Sequence, residues 1–81
     1  MMTAYEVIQK YGWTQGRLGN YTDGFCINGA LHYAYACDMH EQSKAFDKLS
    51  TTIGSQHLAL WNDKHGRTVD EVLDVLNEAG V

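Results

Sequence analysis

Eighty-one residues suffice for one domain over 1–81, and a chain that short buries only about 60–65% of the surface its unfolded form exposes, so its core is thin. The net charge of −4, with six basic residues scattered along the chain, provides no basic patch to neutralise phosphates and argues against nucleic acid as a partner. No apolar run approaches the ~20 residues of a membrane helix, and Met1-Met2-Thr3-Ala4-Tyr5-Glu6 lacks the basic start and apolar core of a secretory leader, so no membrane partner is expected and the cytoplasm is the expected location.

Two Trp, five Tyr and two Phe offset the small size, because aromatic rings bring the most buried area per residue. They serve either a monomer core or a homodimer interface. The ten acidic residues are too dispersed for a nucleic-acid mimic.

Thr3-Ala4-Tyr5-Glu6 reads as a capping box, followed by Ala4, Val7, Ile8 and Tyr11 on one helical face. Gly12 is expected to end this first helix in the left-handed conformation. Residues 12–22, with Trp13 between glycines and a tight turn at Gly19-Asn20, read as an ordered loop; a hairpin lacks the support of period-2 alternation. The stretch 24–37 is the expected centre of the fold. Ile27, Ala30, Leu31 and Ala34 make one apolar stripe, Cys26, Ala30, Tyr33 and Cys37 a second, and only Asn28 and His32 form a polar edge. Asp23 is the expected N-cap. In one helix Cys26 and Cys37 would stand about 16–17 Å apart along the axis, beyond the reach of a disulfide, so both are expected as free thiols.

Asp38-Met39-His40 reads as a polar break before a third helix from Glu41 to about Ile53, with Ala45, Phe46, Leu49 and Ile53 inward and Gly54 as the stop. Ser55 is the expected cap of a short segment Gln56–Trp61, and Asn62 to Gly66 the turn after it. Thr68-Val69-Asp70-Glu71 forms a second capping box, opening a final helix that buries Val69, Val72, Leu73, Leu76 and Ala79 and ends at Gly80. The fold class expected is therefore all-α: a single-domain bundle of four helices plus a short helical segment around a buried central helix.

Gly12-Trp13-x-Gln15-Gly16, Phe25-Cys26-x-x-Gly29-Ala30-Leu31, Trp61-Asn62-Asp63 and Arg67-Thr68-x-x-Glu71-Val72, in that order, resemble a family of small actinobacterial and bacteriophage proteins of unknown function. The chain departs from that pattern in a brief loop before the central helix and in Phe25, which stands where Trp is expected. The resemblance carries no activity. It implies a bacterial or phage cytosolic setting and an accessory product.

Three constellations bear on chemistry. Cys26 would sit in the first turn of a helix, where negative charge is stabilised, and Gln15, Cys26, His57 and Asn62 follow the order of oxyanion donor, nucleophile, base and orienting amide in papain-like proteases. Asp23 opposes that reading by its charge, no strands supply that fold's second half, and a buried structural cysteine is preferred. Cys37-x-x-His40, with His32, His57 or His65, has zinc-like spacing but lacks a second paired motif, so no metal and no cofactor is expected. Trp13, Gln15, Trp61, Asn62 and Asp63 could form a recognition surface of aromatic anchors beside polar groups, or the two rings could plug the ends of a small bundle. Asp63 could pair with Arg17 or Arg67, and Tyr35 is expected close to the polar edge of the central helix, either exposed or at an oligomer contact. The function expected is a small, soluble, non-enzymatic module for contact with a protein partner, such as a host protein; the alternative is a cysteine-dependent hydrolase or transferase using Cys26, His57 and Asn62.

Overall fold

A computed structural model describes residues 2–81. Five helices carry the fold: α1 (Ala4–Tyr11), α2 (Ile27–Ala34), α3 (Met39–Ile53), α4 (Leu58–Asp63) and α5 (Val69–Ala79), with strands β1 (Gly19–Asn20) and β2 (Gly24–Phe25) between α1 and α2. The chain is mostly helical, as expected. The hairpin, which the sequence reading set aside, is a correction to a purely all-α description.

Helix α2 occupies the middle. Its Ile27, Gly29, Ala30, Leu31 and Ala34 are buried, and it packs against α1, α3, α4 and β2, while α5 closes the other side against α1 and α3. Val7, Ile8, Ile27, Leu49, Leu58, Val72 and Leu76 form the fully enclosed core. Each hydrophobic side chain of that size contributes roughly 1.5–3 kcal/mol on burial.

The central helix is shorter than the expected 24–37, and Asp23 is not its cap. Phe25 is held extended on both sides: its N–H donates to Gly12 O (3.0 Å) and its carbonyl accepts from Thr14 N (3.1 Å). A residue committed to those bonds cannot also begin a helix, so α2 starts at Ile27 with Cys26 as N-cap, its Sγ accepting from Gly29 N at 3.3 Å. Asp23 instead closes the hairpin turn. Its carboxylate accepts from Arg17 Nη2 (3.0 Å) and Asn20 Nδ2 (3.2 Å), and Asn20 Oδ1 accepts from the amides of Thr22 and Asp23. At the far end Tyr35 is the C-cap, and Cys37 lies beyond the helix. Both cysteines are free, Cys26 buried and Cys37 exposed.

Two glycines allow this crossing. Gly24 has φ +92°, and a Cβ there would lie 2.6 Å from the Gly12 carbonyl carbon. A Cβ on Gly29 would lie 2.0 Å from Leu18 O. Bare glycine thus lets the loop backbone rest directly on α2, where Leu18 O also accepts from Cys26 N (3.0 Å).

Both capping boxes form as read, Thr3 with Glu6 and Thr68 with Glu71. Gly54 and Gly80 end α3 and α5 in left-handed geometry. Gly12 differs: its φ is positive at 96° but its ψ of −180° is extended, turning its carbonyl toward Phe25 N. The supposed polar break at 38–40 is the start of α3, with Asp38 Oδ1 accepting from the amides of His40 and Glu41 (both 3.1 Å). Thr51 and Thr52, poor helix formers, are accommodated by donating to Asp47 O and Lys48 O one turn back. Ser55 Oγ accepts from His57 N (3.0 Å) rather than capping a helix, and α4 begins at Leu58. That helix runs on through Asn62 and Asp63, which the sequence reading had placed in a turn. In α5 Val72 and Leu76 are buried, Leu73 and Ala79 partly so, and Val69 is exposed at the open first turn.

Candidate functional site

Four of the five residues expected to form a recognition surface meet around one side chain, Asn62, which has no solvent exposure. It is carried by the last turn of α4 and points between the loop after α1 and the start of α2. Its Oδ1 accepts from Trp13 Nε1 (2.7 Å) and from Ile27 N (3.0 Å). Its Nδ2 donates to Thr14 O (3.1 Å) and Asp63 Oδ1 (3.0 Å). The carboxamide therefore uses two acceptor sites and two donor hydrogens, its full capacity. Ile27 N is one of the amides that open α2 and have no partner within the helix, so Asn62 also serves as a cap supplied from another element.

Flanking bonds extend the cluster. Gln15 Nε2 donates to Asn62 O (2.9 Å) and Lys64 O (3.1 Å), satisfying carbonyls at the end of α4. Asp63 Oδ1 accepts from Gly16 N (2.9 Å). Asp63 bonds neither arginine: Arg17 pairs with Asp23 and Arg67 with Glu71. Arg67 stacks over the Trp61 ring at 3.9 Å from its centroid and donates from Nε to Trp61 O (2.9 Å). Trp13 and Trp61 are both half-buried against the core. The Glu71 carboxyl is held below its ordinary pKa, chiefly by the Thr68 backbone N–H and further by the Arg67 charge, with desolvation acting the other way.

The cysteine arrangement can be compared atom by atom. Cys26 is 5% exposed and its sulfur accepts from Gly29 N. It lines a shallow recess of about 230 Å³ together with Arg17, Leu18, Asn28, Ala59 and Asp63. Gln15 does reach Asn62, through the latter's backbone carbonyl. His57 stands apart: its ring bonds none of Cys26, Gln15 or Asn62 among the described residues, and the Asn62 amide has no donor or acceptor left to orient an imidazole. Among the described residues no group of three or more His, Cys, Asp or Glu is placed to hold a metal ion.

Two surface features were not legible beforehand. An open groove of about 350 Å³ runs between α2 and α3. Asn28, Leu31 and His32 line it from α2, and Met39, Gln42, Ser43 and Phe46 from α3. Gln42 Nε2 and His32 Nδ1 meet across it at 3.0 Å, and Met39 is 73% exposed at its rim. The spacing of 39, 42, 43 and 46 was available as a signal, but it was hidden by the supposed break at 38–40. The second feature is a cluster of Tyr11, Tyr21, Phe25 and Tyr33, with ring centroids 5.3–6.1 Å apart in every pairing. Rings so close fill the space between them and leave no cage for a cation. The Tyr33 side chain packed against it pushes the Tyr21 hydroxyl above its ordinary pKa. Tyr35, expected close to the polar edge of the central helix as an exposed or oligomer-contact residue, is half-buried and donates from its hydroxyl to Val81 O (3.1 Å); burial chiefly, then Glu41 and Glu6, push its pKa up.

No curated protein and no solved structure matches the chain. A family model does, over residues 2–80, and by that match the chain belongs to DUF6197, a family of unknown function.

Proposed function

We propose that this protein is a non-enzymatic accessory module, bacterial or phage in origin and cytoplasmic, that acts by contact with another protein. The observation that carries the reading is the α2–α3 groove, with Leu31 and Phe46 in its walls and an exposed methionine on its rim. Methionine is flexible and polarizable, and it recurs at surfaces that adapt to a partner. In this reading Trp13, Gln15, Asn62 and Asp63 belong to the frame that fixes the start of α2, and Asp63 also borders the recess beside Cys26.

Thiol chemistry separates this from the cysteine-hydrolase alternative, because the chain contains its own reference. Cys37 is exposed and Cys26 is buried. With iodoacetamide at neutral pH, Cys37 is expected to alkylate readily and Cys26 at least ~100-fold more slowly, limited by opening of the fold. A native protein in which Cys26 reacts faster than Cys37, with loss of a hydrolytic activity, ends the binding-module reading. Co-elution of a host protein at fixed stoichiometry with the tagged chain is its positive counterpart.

A further inference from the structure

We propose that Asn28-Gly29 is a latent deamidation site, closed by the first turn of α2 and converted only in molecules whose bracket around Asn62 has opened. The sequence supplies the reactive pair. Of the asparagines at 20, 28, 62 and 77, only Asn28 precedes a glycine, which has no side chain to hinder its own backbone nitrogen. In an open chain that nitrogen gives up its proton and attacks Asn28 Cγ. The new N–Cγ bond closes a five-membered imide, the Cγ–Nδ2 bond breaks, and Nδ2 leaves as ammonia, carrying the released proton. Water then opens the imide. Attack at Cγ gives aspartate, and attack at the main-chain carbonyl gives isoaspartate, whose backbone runs through Cβ and Cγ.

The fold blocks each of these steps. Gly29 is buried and its N–H donates to Cys26 Sγ (3.3 Å), so the proton that must leave is held. Asn28 lies within α2, and a helical ψ of about −42° is not the torsion that the planar imide ring sets. A Cβ on Gly29 would lie 2.0 Å from Leu18 O, so the glycine has no room to swing toward Cγ. Ile27 N on Asn62 Oδ1 (3.0 Å) and Cys26 N on Leu18 O (3.0 Å) hold the residues just before it. The start of α2 must therefore leave the loop and α4 before the reaction can begin.

The two products have different fates. Residue 28 is the second helical position of α2, where the helix dipole favours a carboxylate, so the aspartate chain refolds. Isoaspartate adds one backbone atom inside the 13-atom ring closed by Ala30 N and Cys26 O (2.9 Å), and it shifts Gly29 from its seat against Leu18 O. That chain cannot rebuild the first turn. Opening thus becomes irreversible for part of the population. Asn28 lines both the α2–α3 groove and the recess beside Cys26, so both surfaces are lost with it.

The test follows residue 28 of the whole chain by peptide mass spectrometry in mildly alkaline buffer, with aspartate and isoaspartate peptides separated by chromatography. The chemical step is slow beside reclosing, so its rate tracks the open population. Conversion in the folded chain is expected to be at least ~100-fold slower than in the same chain held above its urea midpoint. Raising urea below the midpoint should accelerate it in step with the unfolded fraction, and Trp13→Phe, which weakens the bracket, by about 5–30-fold. After prolonged unfolding the refolding yield of the parent should fall as isoaspartate accumulates. Asn28→Gln, whose longer side chain closes its imide far more slowly, should keep its yield. Equal rates in folded and unfolded chains overturn the inference. So do a rate indifferent to urea, a Trp13→Phe rate unchanged despite a lowered midpoint, and isoaspartate chains that refold with the parent's midpoint.

Discussion

Replacing Asn62 with Ala removes a side chain that has no solvent exposure and four hydrogen bonds. Three of its partners lie in regions of restricted solvent access: Ile27 N is buried, and Trp13 Nε1 and Thr14 O are partly so, whereas Asp63 is exposed and can be rehydrated. A buried group left without a partner costs about 1–3 kcal/mol. With Ile27 across that range and the two half-buried groups near its lower end, the expected loss is on the order of 3–5 kcal/mol. Total stability for 81 residues at 0.05–0.15 kcal/mol each is only about 4–12 kcal/mol, so Asn62→Ala should lie close to the unfolding threshold. Trp13→Phe removes one donor and leaves Asn62 Oδ1 bonded to Ile27, and should cost only about 1–2 kcal/mol. Asn62→Asp keeps the acceptor but turns a charged oxygen toward Thr14 O and the Asp63 carboxylate. The folded state then raises the pKa of the introduced acid. Its destabilisation is absent at pH values below the unfolded carboxylate pKa, about 3.9, and grows as pH rises from there toward the raised folded value, so acidification from pH 7 should partly rescue this variant. Urea unfolding followed by far-UV circular dichroism measures all three. An Asn62→Ala cost below ~1 kcal/mol, or a Trp13→Phe cost equal to it, refutes the account of Asn62 as the hub.

Gly29→Ala gains helix propensity of about 1 kcal/mol but drives a methyl into Leu18 O at 2.0 Å, so a net loss above ~2 kcal/mol is expected in the same urea assay. Arg67→Lys keeps the charge and loses the planar stack on Trp61 together with its Nε bond to Trp61 O; a cost of about 1 kcal/mol and a shifted tryptophan emission maximum should follow. Glu71 has a folded pKa below its unfolded one. Its contribution is therefore complete above the unfolded value and disappears as pH falls through the folded value; stability curves of the parent and Glu71→Gln should differ at neutral pH and converge as the pH falls below the folded value.

Local chemistry was readable where both partners lie within one turn. Thr3 with Glu6 and Thr68 with Glu71 formed as their spacing indicated, and Gly54 and Gly80 ended their helices. The start of the central helix was not readable, because Asp23 is a favoured N-cap type and cysteine is not. What displaced it was pairing of Phe25 with Gly12 and Thr14, a tertiary commitment that local preference does not encode. Asn62 and Asp63 were read as a turn for the same reason: their residue types favour turns, while the partners that hold them in α4 lie far away in the chain. The sequence did hint that Trp13, Gln15, Asn62 and Asp63 belong together. It could not indicate that their polar atoms face one another around the buried Asn62 side chain.

The separation of those partners bears on how the chain comes apart. Trp13, Thr14 and Ile27 lie 49, 48 and 35 positions from Asn62. A partly opened molecule that keeps α4 docked but loses the loop would leave a saturated amide facing nothing, in a place water reaches poorly. Such half-open species are penalised relative to both ends of the reaction, which favours all-or-none unfolding. The Ile27 amide should accordingly exchange its hydrogen with solvent only at the rate set by complete unfolding, even though it stands at the very first position of its helix.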